Sequence, residues 1–367
     1  MRHRLAIVLD PRFPGGTAAS VAEELRAMRG HVELHVAALD TTMFEGQPVN
    51  PRFLAALDEA GIKLDWNPRV IRGDTIVFHN PSCLRFGIKR MPRMSCNTAY
   101  VITHENFLRP SGSEGFDVAG CIGLIERALV AGRMLLAPVS KVNRRGVETW
   151  LAQREPGPWT IAPFDWFNIC SGPFRNPTVA PRDRRGRHSR PGFEKFPPWE
   201  AMLRHFPPHA EHCLLLGVDG FLQGDRVLPR HWQAVPFGAM PVEQFLDAID
   251  FFVYFTNPLW RESFGRVIAE AIAAGKLVIT DPETAETFGP GVVASTGDDV
   301  DEIIAGFIAE PRRYGRAVRQ AQADLARLSP DEFRERVLTR VTGGTPLSAG
   351  KAATAPAAAT GAFHARL

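Results

Sequence analysis

Short apolar runs alternate with amphipathic stretches along the first 150 residues or so. Residues 5–9 are five consecutive apolar positions, which predicts a buried strand. A Pro- and Gly-rich turn follows, and then residues 17–28 place Ala18, Val21, Ala22 and Leu25 on one face of a helix. The pattern then predicts strands at 31–39, 75–78, 100–103 and 135–140, with helices at 51–60, ended by Gly61, and at 123–131. Periodicity fails between Pro156 and Pro198, a stretch with nine prolines that reads as an interdomain crossing and the first loops of a second unit. A second alternation follows, with strands at 213–217, 251–255 and 277–280 and helices at 242–248, 265–274, 300–309, 314–328 and 331–341. Short strands alternating with helices predict an α/β fold with mainly parallel sheets. The expected division is residues 1–170, residues 171–342, and an Ala-, Gly- and Thr-rich tail at 343–367 expected to be disordered. The ligand is expected in the cleft between the two domains.

The 367 residues suit two domains, and 45% hydrophobic residues suffice for sizeable cores. A net charge of +3 gives no argument for nucleic acid or for an anionic membrane as partner, although peripheral membrane contact is left open. Five scattered cysteines without a C-x-x-C pair exclude a disulfide framework and argue against a zinc ribbon. Five apolar residues before Asp10 are too few for a signal peptide, and no run reaches bilayer length, so the expected location is the reducing cytoplasm.

The most informative segment is Glu262-Ser263-Phe264-Gly265-(x)4-Glu270-Ala271-(x)3-Gly275-Lys276-x-Val278-Ile279. It places a loop between a strand and a helix. Gly265 lets a ligand approach the backbone, and the unpaired amides of a helix's first turn favour an anion. Glu270 emerges further along the helix wall, so two carboxylates can bracket one ligand. By pattern alone they are equally two surface glutamates. The segment closely resembles the E-x7-E donor-site motif of retaining glycosyltransferases with the GT-B fold, over 18 positions (262–279). The resemblance implies two facing Rossmann-like domains with a central cleft. It implies that Glu262 contacts donor-sugar hydroxyls and Glu270 the ribose, while Ser263, Phe264 and Gly265 line the diphosphate side.

The resemblance extends to further sites. Five arginines fall within residues 182–190, and Gly186-Arg187-His188-Ser189-Arg190-(x)4-Lys195 looks like the family's Gly-Arg…Lys element, which neutralises the leaving diphosphate. Arg187 and Arg190 compete for the arginine role, and Lys195 carries over more clearly. Gly15 and Gly16 follow the first strand, where the family's equivalent loop reaches the donor phosphates. They do not form the G-x-G-x-x-G dinucleotide fingerprint. His104 follows a strand, at the position where family members carry a histidine near the reaction centre, with His79 as competitor. Asp299 and Asp301 form a D-x-D, but their place before a helical pattern predicts capping, not metal binding.

The resulting expectation is a metal-independent, cofactor-free retaining hexosyltransferase. It takes a nucleoside-diphosphate sugar as donor and a glycan, lipid-linked or small-molecule hydroxyl as acceptor. Glu262, His104, Lys195 and Arg187 are the expected catalytic group. The alternatives are a GT-B-type epimerase or phosphorylase and a non-catalytic sugar-nucleotide-binding homologue.

Overall fold

The computed structural model describes residues 2–13, 16–222 and 226–343. The first half forms a parallel sheet of β1 (Arg4–Leu9), β2 (Glu33–Ala38), β3 (Leu64–Trp66), β4 (Val70–Arg72), β5 (Thr75–His79), β6 (Arg93–Thr103), β7 (Leu129–Pro138) and β8 (Trp159–Ile161). Their order is β3-β2-β1-β5-β6-β7-β8, with β4 beside β6. Side-chain alternation along β1 divides the core. Leu5, Ile7 and Leu9 join the cluster under the helices Gly16–Met28 and Pro51–Ala60, while Ala6 and Val8 join the cluster against Val118–Ala128. The helix Pro51–Ala60 has the predicted bounds for local reasons. Asn50 accepts from the Arg52 amide, Pro51 opens the first turn, and Gly61 ends it at φ 66°.

The second half forms a parallel sheet of β9 (Arg184–His188), β10 (His212–Leu216), β11 (Trp232–Val235), β12 (Phe251–Tyr254), β13 (Leu277–Thr280) and β14 (Val293–Ala294). Their order is β11-β10-β9-β12-β13-β14. Relative to β9 this is the 3-2-1-4-5-6 order of nucleotide-binding α/β sheets, whose ligands bind where the order reverses. That switch point lies outside the carboxyl ends of β9 and β12. In the first sheet the equivalent point lies outside β1 and β5.

The central strand β9 corrects the expectation of a loop there. Its sequence, Arg-Arg-Gly-Arg-His, has no hydrophobic signal, yet Arg185, Arg187 and His188 are buried. A side chain at Gly186 would come within 2.7 Å of Ile249 and 2.9 Å of Phe245, so this position requires glycine. The helix Lys141–Ala152 also went unpredicted, its apolar stripe being interrupted by charge.

The chain returns to the first half at its end. The segment expected as one helix at 331–341 is helical over Pro330–Phe333 and Thr339–Val341, with a π-turn over Arg334–Leu338 between them. Phe333 packs edge-on against Trp166 and Phe167 at 5.7 and 5.8 Å between ring centroids. The carboxyl edges of the two sheets meet. Asn106 donates to the Arg261 carbonyl at 3.0 Å, Ser140 donates to the Ser263 carbonyl at 2.5 Å, and Arg145 pairs with Glu286 at 2.7 Å. The tail from residue 344 lies outside the described residues.

Candidate active site

Glu262 is the centre of the second half's switch point. It stands in the loop between β12 and the helix Arg266–Ala273, and its Oε2 accepts from Lys195 Nζ at 2.8 Å and from the Tyr254 hydroxyl at 2.7 Å. Burial alone raises this carboxyl's pKa. The Lys195 charge and the two hydrogen bonds outweigh burial and hold it below the ordinary carboxylate range, so it is ionised. Gly265 caps the helix at φ 89°, a conformation that disfavours any side chain. Phe264 is buried against Phe288, the last residue of the helix Pro282–Phe288, which supports the motif from below.

The five arginines do not form one diphosphate cradle. Arg182 pairs with Glu211, Arg184 pairs with Asp250 at 2.8 Å, and Arg185 pairs with Asp183 and Asp301. Arg187 is buried. It donates to the carbonyls of Lys195 and Phe255 and lies 4.2 Å from the Phe196 ring and 5.2 Å from that of Tyr254. Burial lowers its pKa to about 10. Its guanidinium therefore fixes the backbone that presents Lys195, and of the two arginines expected to compete for the diphosphate Arg187 is the buried one. Arg190 is partly exposed and pairs with Glu194 at 2.7 Å.

Glu270, eight residues after Glu262, has Oε2 3.6 Å from His188 Nε2 and Oε1 3.6 Å from Arg266 Nε. Burial raises its pKa, and the charges of Arg266 and of Arg52, from the first half, oppose that rise. Burial and Arg187 lower His188 to about 4, so its imidazole is neutral. His188 Nε2, Ser189 Oγ, and Arg266 Nε and Nη1 are buried polar atoms without hydrogen-bond partners. Such orphans are rare in folded proteins unless a ligand or ordered water completes them. Tyr254, His188, Ser189 and Arg266 were not among the residues singled out from the sequence. For Ser189 and His188 the signal was present in the quoted Gly-Arg-His-Ser run. Tyr254 gave none, because it reads as part of an apolar strand.

On the first half, His104 follows β6. Its Nε2 lies 3.0 Å from Nδ1 of His79, the competitor histidine at the end of β5, so the two form a pair. Buried Asn143, from the unpredicted helix, pins the loop beyond by donating to the Glu105 carbonyl at 3.3 Å and to Asn106 Oδ1 at 3.0 Å. Gly16 begins the helix Gly16–Met28 and is exposed; Gly15 lies outside the described residues. Asp299 occupies the N-cap position of the helix Val300–Ala309, but its side chain accepts from Ser295 and not from a helix amide. Asp301 pairs with Arg185 and His209. A cavity of 380 Å³ lies between the halves beside Glu262, lined by Pro110 and Val142 on one side and Trp260, Asp281 and Thr296 on the other. A larger hollow of 520 Å³ between the helices Val300–Ala309 and Pro311–Leu325 includes none of Glu262, Glu270, Lys195 or His104.

The match to solved structures extends over both halves. HepE of Anabaena, solved with UDP and glucose, superposes with a TM-score of 0.62 at 16% identity, covering 93% of this chain and 99% of HepE. The chain has the GT-B fold. An α-glucosyltransferase solved with UDP and a 13-mer DNA aligns at TM-score 0.56 and 10% identity, over 93% of this chain and 100% of that one. A UDP-forming trehalose-phosphate synthase from Burkholderia xenovorans aligns at 0.55 and 10% identity, over 94% and 99%. No protein-family model and no curated protein sequence matches this chain. Among the described residues no helix is long and apolar enough to cross a membrane.

Proposed function

We propose that the protein is a retaining glycosyltransferase that transfers a hexose from a nucleoside-diphosphate sugar to an acceptor hydroxyl. The observation that carries this reading is ionised Glu262, paired with Lys195 beside a glycine-capped helix start, with Glu270 eight residues on. An ionised carboxylate accepts from sugar hydroxyls and a lysine beside it meets the diphosphate, so in the bound state the two exchange each other for the donor. Glu270 takes the ribose hydroxyls, beside buried atoms of His188, Ser189 and Arg266 that lack hydrogen-bond partners. HepE and the α-glucosyltransferase were both solved with UDP, which favours uridine diphosphate as leaving group.

In the reaction the acceptor oxygen bonds to the anomeric carbon as the bond from that carbon to the diphosphate oxygen breaks. The acceptor proton passes to the departing diphosphate on the same face, which retains configuration without a protein nucleophile. Lys195, Arg190 and the helix-start amides at Phe264 and Gly265 stabilise the charge that develops there. These fixed cations take the place of a metal, so neither metal nor organic cofactor is part of the proposal. Arg187 acts through Lys195. Five free thiols agree with a cytoplasmic location. The acceptor is a glycan, a lipid-linked saccharide or a small molecule.

The test is transfer of labelled sugar from UDP-, GDP- and ADP-hexoses to a mixed acceptor panel. The expected result is product of retained configuration from a UDP-hexose, lost in Glu262→Ala. Interconversion of the sugar nucleotide without transfer would instead mark an epimerase. Binding without turnover, unaffected by Glu262→Ala, would mark a non-catalytic homologue.

A further inference from the structure

The first half's switch point holds three titratable groups, two of them fully buried, that take no part in the reaction above. Glu24, on the helix Gly16–Met28, and His79, at the end of β5, are each 0% exposed. Glu24 Oε2 lies 3.4 Å from His79 Nε2, a buried nitrogen without a hydrogen-bond partner. The other ring nitrogen, Nδ1, lies 3.0 Å from His104 Nε2. His104 is partly exposed, and its loop runs on to Asn106, which bonds the second half. Carboxyl, imidazole and imidazole thus form a line from the core to the cleft.

The chemistry of the line follows from its donors. A neutral imidazole has one N–H and one lone pair, so fixing either end of the chain fixes both tautomers. The Trp166 indole donates to Glu24 Oε2 at 3.0 Å and can only donate. The Ser20 hydroxyl has one hydrogen, and it lies 2.9 Å from Asn168 Oδ1 against 3.4 Å from Glu24 Oε1. One indole is too little to hold a buried carboxylate ionised. Burial pushes Glu24 up to about 8, with Trp166 and Ser20 opposing it. Burial pushes His79 well below its ordinary value, aided by His104, and His104 itself down to about 3. Ser20, Trp166 and His79 face the carboxyl. His79 faces His104, whose neighbour Glu105 is bonded to Arg85 and Ser82.

We propose that Glu24 and His79 are positioning residues that set the tautomer of His104, so that at neutral pH His104 presents Nδ1–H to the cleft as a hydrogen-bond donor. Protonated Glu24 donates to His79 Nε2. His79 Nδ1–H donates to His104 Nε2, and His104 Nδ1–H is left for an oxygen of the donor sugar or its phosphates. Loss of one proton reverses every link. Carboxylate Glu24 accepts from His79 Nε2–H, His79 Nδ1 accepts from His104 Nε2–H, and His104 Nδ1 becomes a bare lone pair. The balance is one proton released at the cleft and no other bond changed. The role assigned to the outward N–H rests on the glycosyltransferase reading; the tautomer does not.

The test separates the two. Histidine-¹⁵N-labelled protein without substrate is followed by long-range ¹H–¹⁵N correlation, with the His104 signals assigned by His104→Gln. His104 is expected as the Nδ1–H tautomer at pH 7, converting to Nε2–H as pH rises through about 8. Glu24→Gln, which has no proton to lose, is expected to show a single His104 tautomer over the whole range. In wild type kcat/KM should fall about tenfold per pH unit above that transition, and Glu24→Gln should remove the fall. An Nε2–H tautomer at pH 7, or a tautomer that ignores pH in wild type, would overturn the proposal whatever the activity. The wild-type titration decides the matter even if Glu24→Gln does not fold. Correct tautomers in a protein without transferase activity would sink the functional reading alone.

Discussion

The two switch points occupy equivalent edges of two similar sheets and solve burial in opposite ways. In the second half, Arg187 and Glu262 remain charged because each has a counter-charge, a carbonyl or a hydroxyl within hydrogen-bond distance. In the first half, Glu24, His79 and His104 have too few partners and give up their charge. The lesson is that burial does not decide ionisation; the supply of partners does.

The comparison can be broken most strongly at Arg187. Arg187→Met removes the guanidinium that ties the Lys195 and Phe255 carbonyls, and is expected to cost about 3–5 kcal/mol of stability in urea unfolding. A loss below about 1 kcal/mol would mean the charge is not needed for the fold. Next comes Lys195→Ala, expected to lower kcat by about 10²–10³ while destabilising by about 1–3 kcal/mol, because Glu262 loses its counter-charge but keeps Tyr254. If turnover falls only in step with the folded fraction, Lys195 is structural. The smallest of the three is Glu270→Ala, expected to raise the Kd for UDP about tenfold in calorimetry, or about 1.4 kcal/mol. An unchanged Kd removes Glu270 from the ribose site.

Most of the fold was legible where hydrophobic period and burial agree. The strand Leu277–Thr280 and the helix Val300–Ala309 have their predicted bounds, and Gly61 ends its helix as the left-handed cap expected of it. β9 was illegible because the arginines in its interior are hydrogen-bonded by partners distant in sequence, such as Asp301 for Arg185 or the Phe255 carbonyl for Arg187. The same failure turned an ordered strand into an apparent arginine cluster. In the site, Glu262, Glu270 and Lys195 were picked out by resemblance to family motifs, since by pattern alone the two glutamates read as surface residues. Glu24 was not, since a glutamate in an amphipathic helix reads as solvent-facing until the fold buries it. Tyr254 and Trp166 were hidden for the complementary reason, that aromatic residues in apolar company carry no sign of a polar task.

Phe333 covers Trp166, the indole that bonds Glu24, and Arg334 donates to the Ala27 carbonyl at 3.4 Å. The first half is therefore closed by residues made long after its last strand, Trp159–Ile161. While the chain is being made, the β1–β8 sheet must wait with part of its core open for more than 150 residues of further synthesis, and a nascent chain stopped before Pro330 leaves that surface exposed. Synthesis of Pro330–Val341, not completion of either sheet, is the event that closes the first half.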